Sequence, residues 1–112
     1  MERFDVLKKL IEFSEPVDEL SNILKSYSWD YDGEPIVLTA SHIRSVLKRF
    51  LIDELDPESL EKWANVIECR EDIDFEENNH MEIDSVIHYL ANSKIEGALT
   101  KGVCVNMLAT LE

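Results

Sequence analysis

Three side chains that could bind a metal or move a proton recur at four-residue intervals late in the chain. His80, Asp84 and His88 share one face of a helix at that spacing. The HExxH pattern is absent, however, and a zinc site needs at least one further ligand from elsewhere in the fold. We therefore expect a polar His80 at a helix start, a partly buried His88 and no metal. A metal-dependent enzyme built on these histidines is the hypothesis that metal analysis would test.

A second series of carboxylates imitates the opening of a calcium-binding loop. Asp72, Asp74 and Glu76 alternate in the way the first ligands of an EF-hand do. The sixth position is then Glu77 where the loop needs glycine, and the twelfth is Ile83 where it needs a bidentate glutamate. These mismatches argue against a calcium sensor.

Carboxylates are so numerous in this chain that pairing any two as acid and base carries little information. Catalysis needs a carboxyl group whose pKa is raised in an apolar cleft, and a solvated row of acids does not supply one. The chain also lacks a phosphate-binding glycine loop and a GxSxG elbow. We expect no catalytic activity and no cofactor.

Apolar residues at three- and four-residue spacing predict a series of short helices that would position these groups. We expect an all-α, single-domain bundle of five or six helices spanning residues 1–112, with one short extended segment near 35–39. Ile36, Val37 and Leu38 are the β-leaning run, which is too short and unpaired to imply a sheet. The predicted inward-facing residues of the first two helices are Phe4, Leu7, Leu10, Ile11, Val17, Leu20, Ile23 and Leu24.

Capping residues mark where the later helices begin and end. Thr39 or Ser41 would cap a third helix, Asp56 followed by Pro57 starts a fourth, and Thr100 caps the last. The fourth helix would carry an acidic row that includes Glu68, and an acidic turn over 74–79 would precede a fifth helix from about Glu82 to Asn92.

Negative charge is concentrated in residues 53–84, although the chain as a whole carries −13. This stretch holds thirteen Asp and Glu residues against Lys62 and Arg70, which gives it a net charge of −11. Such crowding costs folding free energy through self-repulsion, and a cationic surface brought against it would turn that cost into attraction. An acidic face that merely keeps the protein soluble is the alternative.

An aromatic and acidic segment over 27–34 is a second candidate contact region. Trp29, Asp30, Tyr31 and Asp32 lie ahead of an Asp-Gly turn signal. Exposed Trp and Tyr give much contact area for little conformational entropy, as interface hot spots require. The same rings could instead cover the helical core, and the sequence leaves both possibilities open.

The remaining composition restricts partners and compartment. The net charge repels nucleic acid and anionic lipid. The one candidate basic patch is Arg44, Lys48 and Arg49. We expect Arg44 and Lys48 to face the acidic stretch. Two isolated cysteines fit a reducing compartment, and the first residues carry charges where a secretory signal has an apolar run. We expect a cytoplasmic monomer with no direct nucleic-acid or membrane contact.

Two strings resemble segments of small bacterial immunity proteins that protect against polymorphic toxins, including those of contact-dependent growth inhibition. They are WANVIECREDI over 63–73 and YLANSKIEGALT over 89–100. The resemblance implies a protein that binds a cognate toxin domain, often a nuclease, in the cytoplasm. Such a protein covers or mimics the route of a negatively charged substrate.

The sequence thus predicts an immunity or antitoxin-like inhibitor whose acidic surface binds a basic toxin domain. An acidic interaction module that binds a basic host protein, as a nucleic-acid mimic or an assembly subunit, is the alternative. The predicted contact residues are Glu68, Glu71, Asp72, Asp74, Glu76 and Glu77, with Trp29, Asp30, Tyr31 and Asp32 as a second patch.

Overall fold

The protein is described by a computed structural model that covers residues 3–25, 35–68, 70, 72–96 and 99–111. Helices dominate it, which confirms the predicted all-α class, and a very small sheet is added to them. The helices are α1 (Arg3–Glu12), α2 (Val17–Leu24), α3 (Ala40–Leu51), α4 (Pro57–Glu68), α5 (His80–Ala91), α6 (Ser93–Glu96) and α7 (Lys101–Leu111), and the strands are β1 (Ile36–Leu38) and β2 (Ile73–Phe75).

Side-chain caps begin three of the helices where the sequence predicts them. Asp56 accepts a hydrogen bond of 2.7 Å from the Ser59 amide at the start of α4, and Thr100 accepts one of 3.2 Å from the Val103 amide at the start of α7. At α3 the cap is Thr39, whose hydroxyl accepts from the His42 amide. These bonds satisfy amides that have no partner inside the helix.

The two strands pair in parallel, so the prediction of an unpaired extended segment at 36–38 was wrong. Ile36, Val37 and Leu38 stand opposite Ile73, Asp74 and Phe75 respectively. The Ile36 amide donates to the Asp72 carbonyl at 3.0 Å, and the Glu76 amide donates to the Leu38 carbonyl at 2.9 Å. Because the partner strand lies beyond α3 and α4 in sequence, three apolar residues alone gave no signal of it.

The segment before α5 also differs from the expected acidic turn. Residues 73–75 form β2, a single 3-10 turn follows over Glu77–Asn79, and α5 starts directly after it at His80. The helix therefore begins two residues before Glu82. Its end at the C-cap residue Asn92 agrees with the prediction.

The core is organised around Trp63, whose side chain is completely buried on α4. Its indole Nε1 donates a hydrogen bond of 2.6 Å to the Leu10 carbonyl in the last turn of α1, which also accepts one of 3.1 Å from the Phe13 amide. The Phe13 ring packs against the indole with ring centroids 6.0 Å apart. One contact cluster thus joins α1 to α4 and continues into the apolar faces of α3, α5 and α7.

Two residues predicted to face inward are exposed instead. Phe4 is 50% exposed, because α1 buries Val6 together with Leu7 and so turns its first residues toward solvent. Ile23 is 36% exposed, because α2 packs along the line of Val17, Leu20 and Leu24. Helical spacing locates an apolar stripe but does not fix its edges.

The longest helices of the described chain, α3, α4 and α5, have twelve residues each. A membrane span needs about twenty apolar residues in a row. Among the described residues no helix meets the length and apolarity that crossing a bilayer demands.

Candidate interaction surface

Helices α4 and α5 lie side by side and run in opposite directions, as two contacts near their ends show. Near the start of α4 the Ser93 hydroxyl donates to Glu61 at 3.2 Å, and at the end of α4 His88 Nδ1 lies 3.4 Å from Glu68 Oε2. The outer face of α5 carries Asp84 one turn before His88. Asp84 therefore lies nearer than His88 to the start of α5, while α4 ends beside His88.

Exposed carboxylates follow one another from the last residue of α4 into the first half of α5, and we call Glu68, Asp74, Glu77 and Asp84 the acidic end. Asp74 is the exposed middle residue of β2, and Glu77 is in the turn that leads into α5. Strand β2 packs on α5, and the Phe75 and His80 rings lie 5.6 Å apart. Glu68 thus ends α4, and the strand, the turn and α5 carry the other three acids in succession after it.

The acidic end carries no compensating Lys or Arg among the described residues. Asp74, Glu77 and Asp84 make no ion pair there. Glu68 contacts His88, and the side chains of His88 and Glu68 are 60% and 40% exposed. Glu77 does sit at the N-terminus of α5, where the positive end of the helix dipole offsets part of the repulsion. The remaining repulsion is what a cationic partner would relieve.

Asp72 does not belong to this surface, although the sequence assigned it there. Its side chain is 2% exposed and forms a two-bond pair with Arg70, with Nε and Nη2 donating to Oδ1 and Oδ2 at 2.7 Å each. A fork of this kind neutralises the carboxylate inside the protein. Asp72 is therefore unavailable to a partner while the native pairing holds.

Glu76, also assigned to the surface, acts as a cap for another helix. Its Oε2 accepts a hydrogen bond of 3.0 Å from the Ala40 amide in the first turn of α3 and one of 3.3 Å from Asn79 Nδ2. A carboxylate at a helix N-terminus is favoured by both the free amides and the dipole. Its half-buried side chain ties β2 to α3.

Three further acids of the same stretch also have internal roles. Glu54 pairs with Arg49, and Asp53 lies 3.3 Å from Lys101. Hydrogen bonds from the Ser59 side chain and amide lower the pKa of the Asp56 carboxyl. Arg49 and Lys101, which lie outside this stretch, therefore offset part of its counted charge of −11.

Five predicted contact residues lie outside the part of the chain that the structure describes. They are Trp29, Asp30, Tyr31, Asp32 and Glu71. Their assignment stays a prediction from sequence. The candidate surface is accordingly built from the acidic end alone.

The two arginines of α3 donate hydrogen bonds to carbonyl groups at the ends of other helices. Arg49 donates to the Phe13 carbonyl at 2.8 Å and lies over the Phe13 ring, with Cζ 5.5 Å from its centroid. Arg44 donates at 2.9 Å to the Leu111 carbonyl at the end of α7. Arg49 thus meets the acidic stretch through Glu54, whereas Arg44, which the sequence predicted to face that stretch, bonds to α7 instead.

His42 and Cys104, two side chains that could in principle be reactive, are half-buried and buried respectively. His42 Nδ1 accepts from the Thr39 amide at 3.0 Å, and burial lowers the His42 pKa more than Glu12 and Glu76 raise it. Burial raises the pKa of the Cys104 thiol, which disfavours its reactive thiolate. Within the described ranges no three or more His, Cys, Asp or Glu side chains are arranged to hold a metal ion.

The outer face of α1 has an open depression of about 410 Å³. Its lining includes Asp5, Lys8, Glu12 and Ser14, together with Lys9, which pairs with Glu15 at 3.4 Å. Charges of both signs mix there, and the depression is open to solvent. It lacks the apolar enclosure that is typical of small-molecule sites.

Comparison with known proteins identifies no relative: no family model, no curated protein and no solved structure matches the chain. The resemblance to immunity proteins therefore rests on the two sequence strings given above. Function must be argued from the surface itself.

Proposed function

We propose that this protein is an immunity or antitoxin-like inhibitor that binds a basic bacterial toxin domain through the acidic end of the α4–α5 pair. The observation that carries the proposal is the exposure of Asp74, Glu77 and Asp84 without an ion pair, beside neighbours that are neutralised internally. The chain has cations with which it neutralises Asp72 and Glu54. It leaves the acidic end unneutralised.

Electrostatics gives this surface its expected mode of action. Exposed carboxylates attract a cationic cleft over a distance of about 8 Å at physiological salt, which speeds association and orients the encounter. A toxin nuclease binds a polyanion, so its substrate channel is cationic and offers a matching surface. Binding there would exclude the substrate.

Rescue of growth is the direct test of the proposal. The chain should be co-expressed with the reading frame next to its own gene, in cells that the neighbouring product alone kills or arrests. We expect growth to recover when the chain is present. No rescue, or a neighbouring product without toxicity, would remove the immunity assignment.

A charge-reversal pair then tests whether the acidic end makes the contact. In the variant Asp74→Lys with Glu77→Lys, we expect the rate of association with the purified toxin domain to fall about tenfold or more at low salt. Asp5→Lys with Glu19→Lys is the matched control, since both residues are exposed on α1 and α2 and the net charge changes equally. Equal rates for the two variants would mean that overall charge, and not this surface, governs binding.

An unrelated basic protein separates inhibition of a cognate toxin from general binding of cations. Cytochrome c serves as the probe, with binding measured by calorimetry beside that of the toxin domain. We expect the toxin domain to bind at least about a hundredfold more tightly, because specificity needs shape and hot-spot contacts in addition to charge. Equal affinities would favour the alternative, an acidic module that docks on basic host proteins.

A further inference from the structure

Strand β1 pairs with β2 along one edge, and its other edge meets no strand among the described residues. On the paired edge the Ile36 amide and the Leu38 carbonyl bond to β2 at 3.0 Å and 2.9 Å. Since the N–H and C=O groups of successive residues in a strand point to opposite sides, Val37 turns both of its groups away from β2. Within the described chain no hydrogen bond reaches them. Val37 therefore offers one free donor and one free acceptor at an open edge.

Val37 is also accessible to a partner. It is 45% exposed, while the two residues beside it in β1 are buried in the core. An exposed strand edge is a ready template for another strand. Its neighbours restrict this edge, because Pro35 has no amide and the Thr39 amide already donates to His42 Nδ1. A strand that pairs here is thus centred on Val37.

Asp74 of the acidic end stands next to Val37 across the sheet. The two residues are partners in the ladder, so their side chains lie on the same face, and both residues are exposed. Neighbouring strands are about 5 Å apart, which places a strand added at the open edge about 10 Å from β2. A lysine or arginine opposite Val37 on that strand can lay its aliphatic stem over the valine and bring its charge to Asp74.

We infer that the open edge of β1 binds an extended segment of the toxin domain as a third strand, with a lysine or arginine of that segment opposite Val37 and reaching Asp74. The identity of the partner rests on the proposed function. Charge selects this occupant, because Asp74 has no ion pair among the described residues and attracts a cationic strand. Strand β1 of a second copy consists of apolar residues and would bring no cation to Asp74.

The two kinds of contact have separate roles in this pairing. Hydrogen bonds between main chains give affinity to any extended segment, and the side chains on the shared face give selectivity. The cation opposite Val37 is therefore what distinguishes the toxin segment from other extended chains. The same cation links the edge of β1 to the acidic end through Asp74.

Amide hydrogen exchange of the whole chain tests first whether the edge is open. We expect the Val37 amide to exchange at least about tenfold faster than the amides of Ile36 and Leu38, because it alone of the three lies outside the ladder. Exchange of the Val37 amide as slow as that of its neighbours would show that the edge is already covered, by the chain itself or by a second copy. That result would overturn the inference.

A blocked peptide of sequence Thr-Val-Thr-Lys-Thr-Val-Thr serves as the probe of strand pairing, at up to about 5 mM because a short edge binds weakly. We expect the Val37 amide resonance to shift as peptide is added and its exchange to slow. The same peptide with an N-methyl group on its lysine amide is the control, since it cannot donate to the Val37 carbonyl. No response to the first peptide, or an equal response to both, would contradict strand addition.

The contact with Asp74 is tested by removing one charge at a time. Asp74→Asn should weaken binding of the lysine peptide about two- to fivefold, as expected for an exposed ion pair, and should leave a peptide with leucine in place of lysine unaffected. Glu58→Gln is the matched control, because Glu58 is an exposed carboxylate on α4, away from the sheet. Equal weakening by the two variants would mean that net charge, and not Asp74, selects the cation.

The toxin domain itself provides the last test. Val37→Lys keeps the strand but repels a cationic segment and gives Asp74 a cation of its own, so we expect the toxin domain to bind at least about tenfold more weakly. Val105→Lys is the control, since Val105 is 54% exposed on α7 and the charge changes equally. Equal affinities for the two variants would overturn the inference.

This inference and the proposed function fail in different experiments. Growth rescue by the Val37→Lys variant, with unchanged affinity for the toxin domain, would remove the strand pairing and leave the immunity assignment intact. A neighbouring product without toxicity would remove the immunity assignment, and with it the toxin domain as the occupant of the edge. The exchange and peptide measurements do not depend on that product.

Discussion

Trp63 on α4 donates its indole hydrogen bond to the carbonyl of Leu10 on α1, at 2.6 Å and out of contact with water. The bond joins the last turn of α1 to α4 and anchors the largest fully buried side chain among the described residues. It is therefore a sensitive place to measure how much the core contributes to the free energy of unfolding.

Trp63→Phe should lower the free energy of unfolding by about 2–3 kcal/mol. The loss combines a hydrogen bond of about 1 kcal/mol with the free energy of a partly filled cavity. Urea unfolding followed by circular dichroism at 222 nm measures it without using tryptophan fluorescence. A change below about 0.5 kcal/mol would mean that the site is loosely packed. The control is Ile95→Ala, since Ile95 is exposed, and it should leave the midpoint unchanged.

Arg70→Ala should destabilise the protein by about 3–5 kcal/mol, because it leaves the Asp72 carboxylate buried without its two-bond partner. Adding Asp72→Asn removes the uncompensated charge and should restore part of the loss. Chemical denaturation of the two single variants and the double variant gives the coupling free energy. Additive effects would show that the two side chains do not act as a pair.

Two helices end on a residue with positive φ, which predicts opposite effects for the same substitution. Phe13 has φ 51° and Asp53 has φ 63°, and in each case the next amide bonds back across five residues as in a Schellman ending. Asp53→Gly should raise the free energy of unfolding by about 0.5 kcal/mol, since glycine adopts this conformation without strain. The exposed contact with Lys101 that it removes is worth little.

Phe13→Gly relieves the same backbone strain but removes a buried ring that packs on Trp63. The lost packing exceeds the strain, so this variant should lose about 2–4 kcal/mol. Thermal melts of both variants beside the unsubstituted protein measure the contrast. Two changes of the same sign would contradict the assignment of Phe13 to the core.

His42 gives the stability a dependence on pH. Burial lowers its pKa in the folded state below the ordinary value of 6.5, so the unfolded chain takes up the proton first. The stabilising neutral form is fully present above pH 6.5, and its contribution is lost as the pH falls from there through the folded pKa. Protonation would also remove the acceptor for the Thr39 amide.

His42→Gln preserves an acceptor at the third position of the capping box and has no charge to gain. We expect the unsubstituted protein to lose more stability between pH 7.5 and pH 5.5 than this variant does, as measured by urea midpoints across that range. His80→Gln serves as the control. It should lose as much stability between these pH values as the unsubstituted protein does, because the Thr39 cap remains. Identical pH profiles for all three proteins would contradict the assignment of this pH dependence to His42.

Local chemistry made the helices and their caps predictable from sequence. Asp56 and Thr100 each bond an amide three residues ahead, so the whole interaction lies within a short window. The pairing of β1 with β2 and the capping of Ala40 by Glu76 join positions 36 or 37 residues apart, and no short window contains them.

The candidate surface was predicted only in part, because pairing between distant residues is not visible in the sequence. The count of charge located the acidic region, and Asp74 and Glu77 are exposed as expected. The count treated all carboxylates alike, however, and could not distinguish Asp72, which Arg70 neutralises, from Asp84, which the predicted contact residues do not include. Which acids remain free depends on tertiary contacts.

The parallel strand pair has a consequence for the order in which the chain folds. Because β1 and β2 flank α3 and α4 in sequence, closing their ladder brings together distant parts of the chain, and we expect it to follow the formation of both helices. The amides of Ile36 and Glu76 should then exchange with deuterium only when the whole domain opens. Exchange of these two amides would thus report on complete folding of the domain.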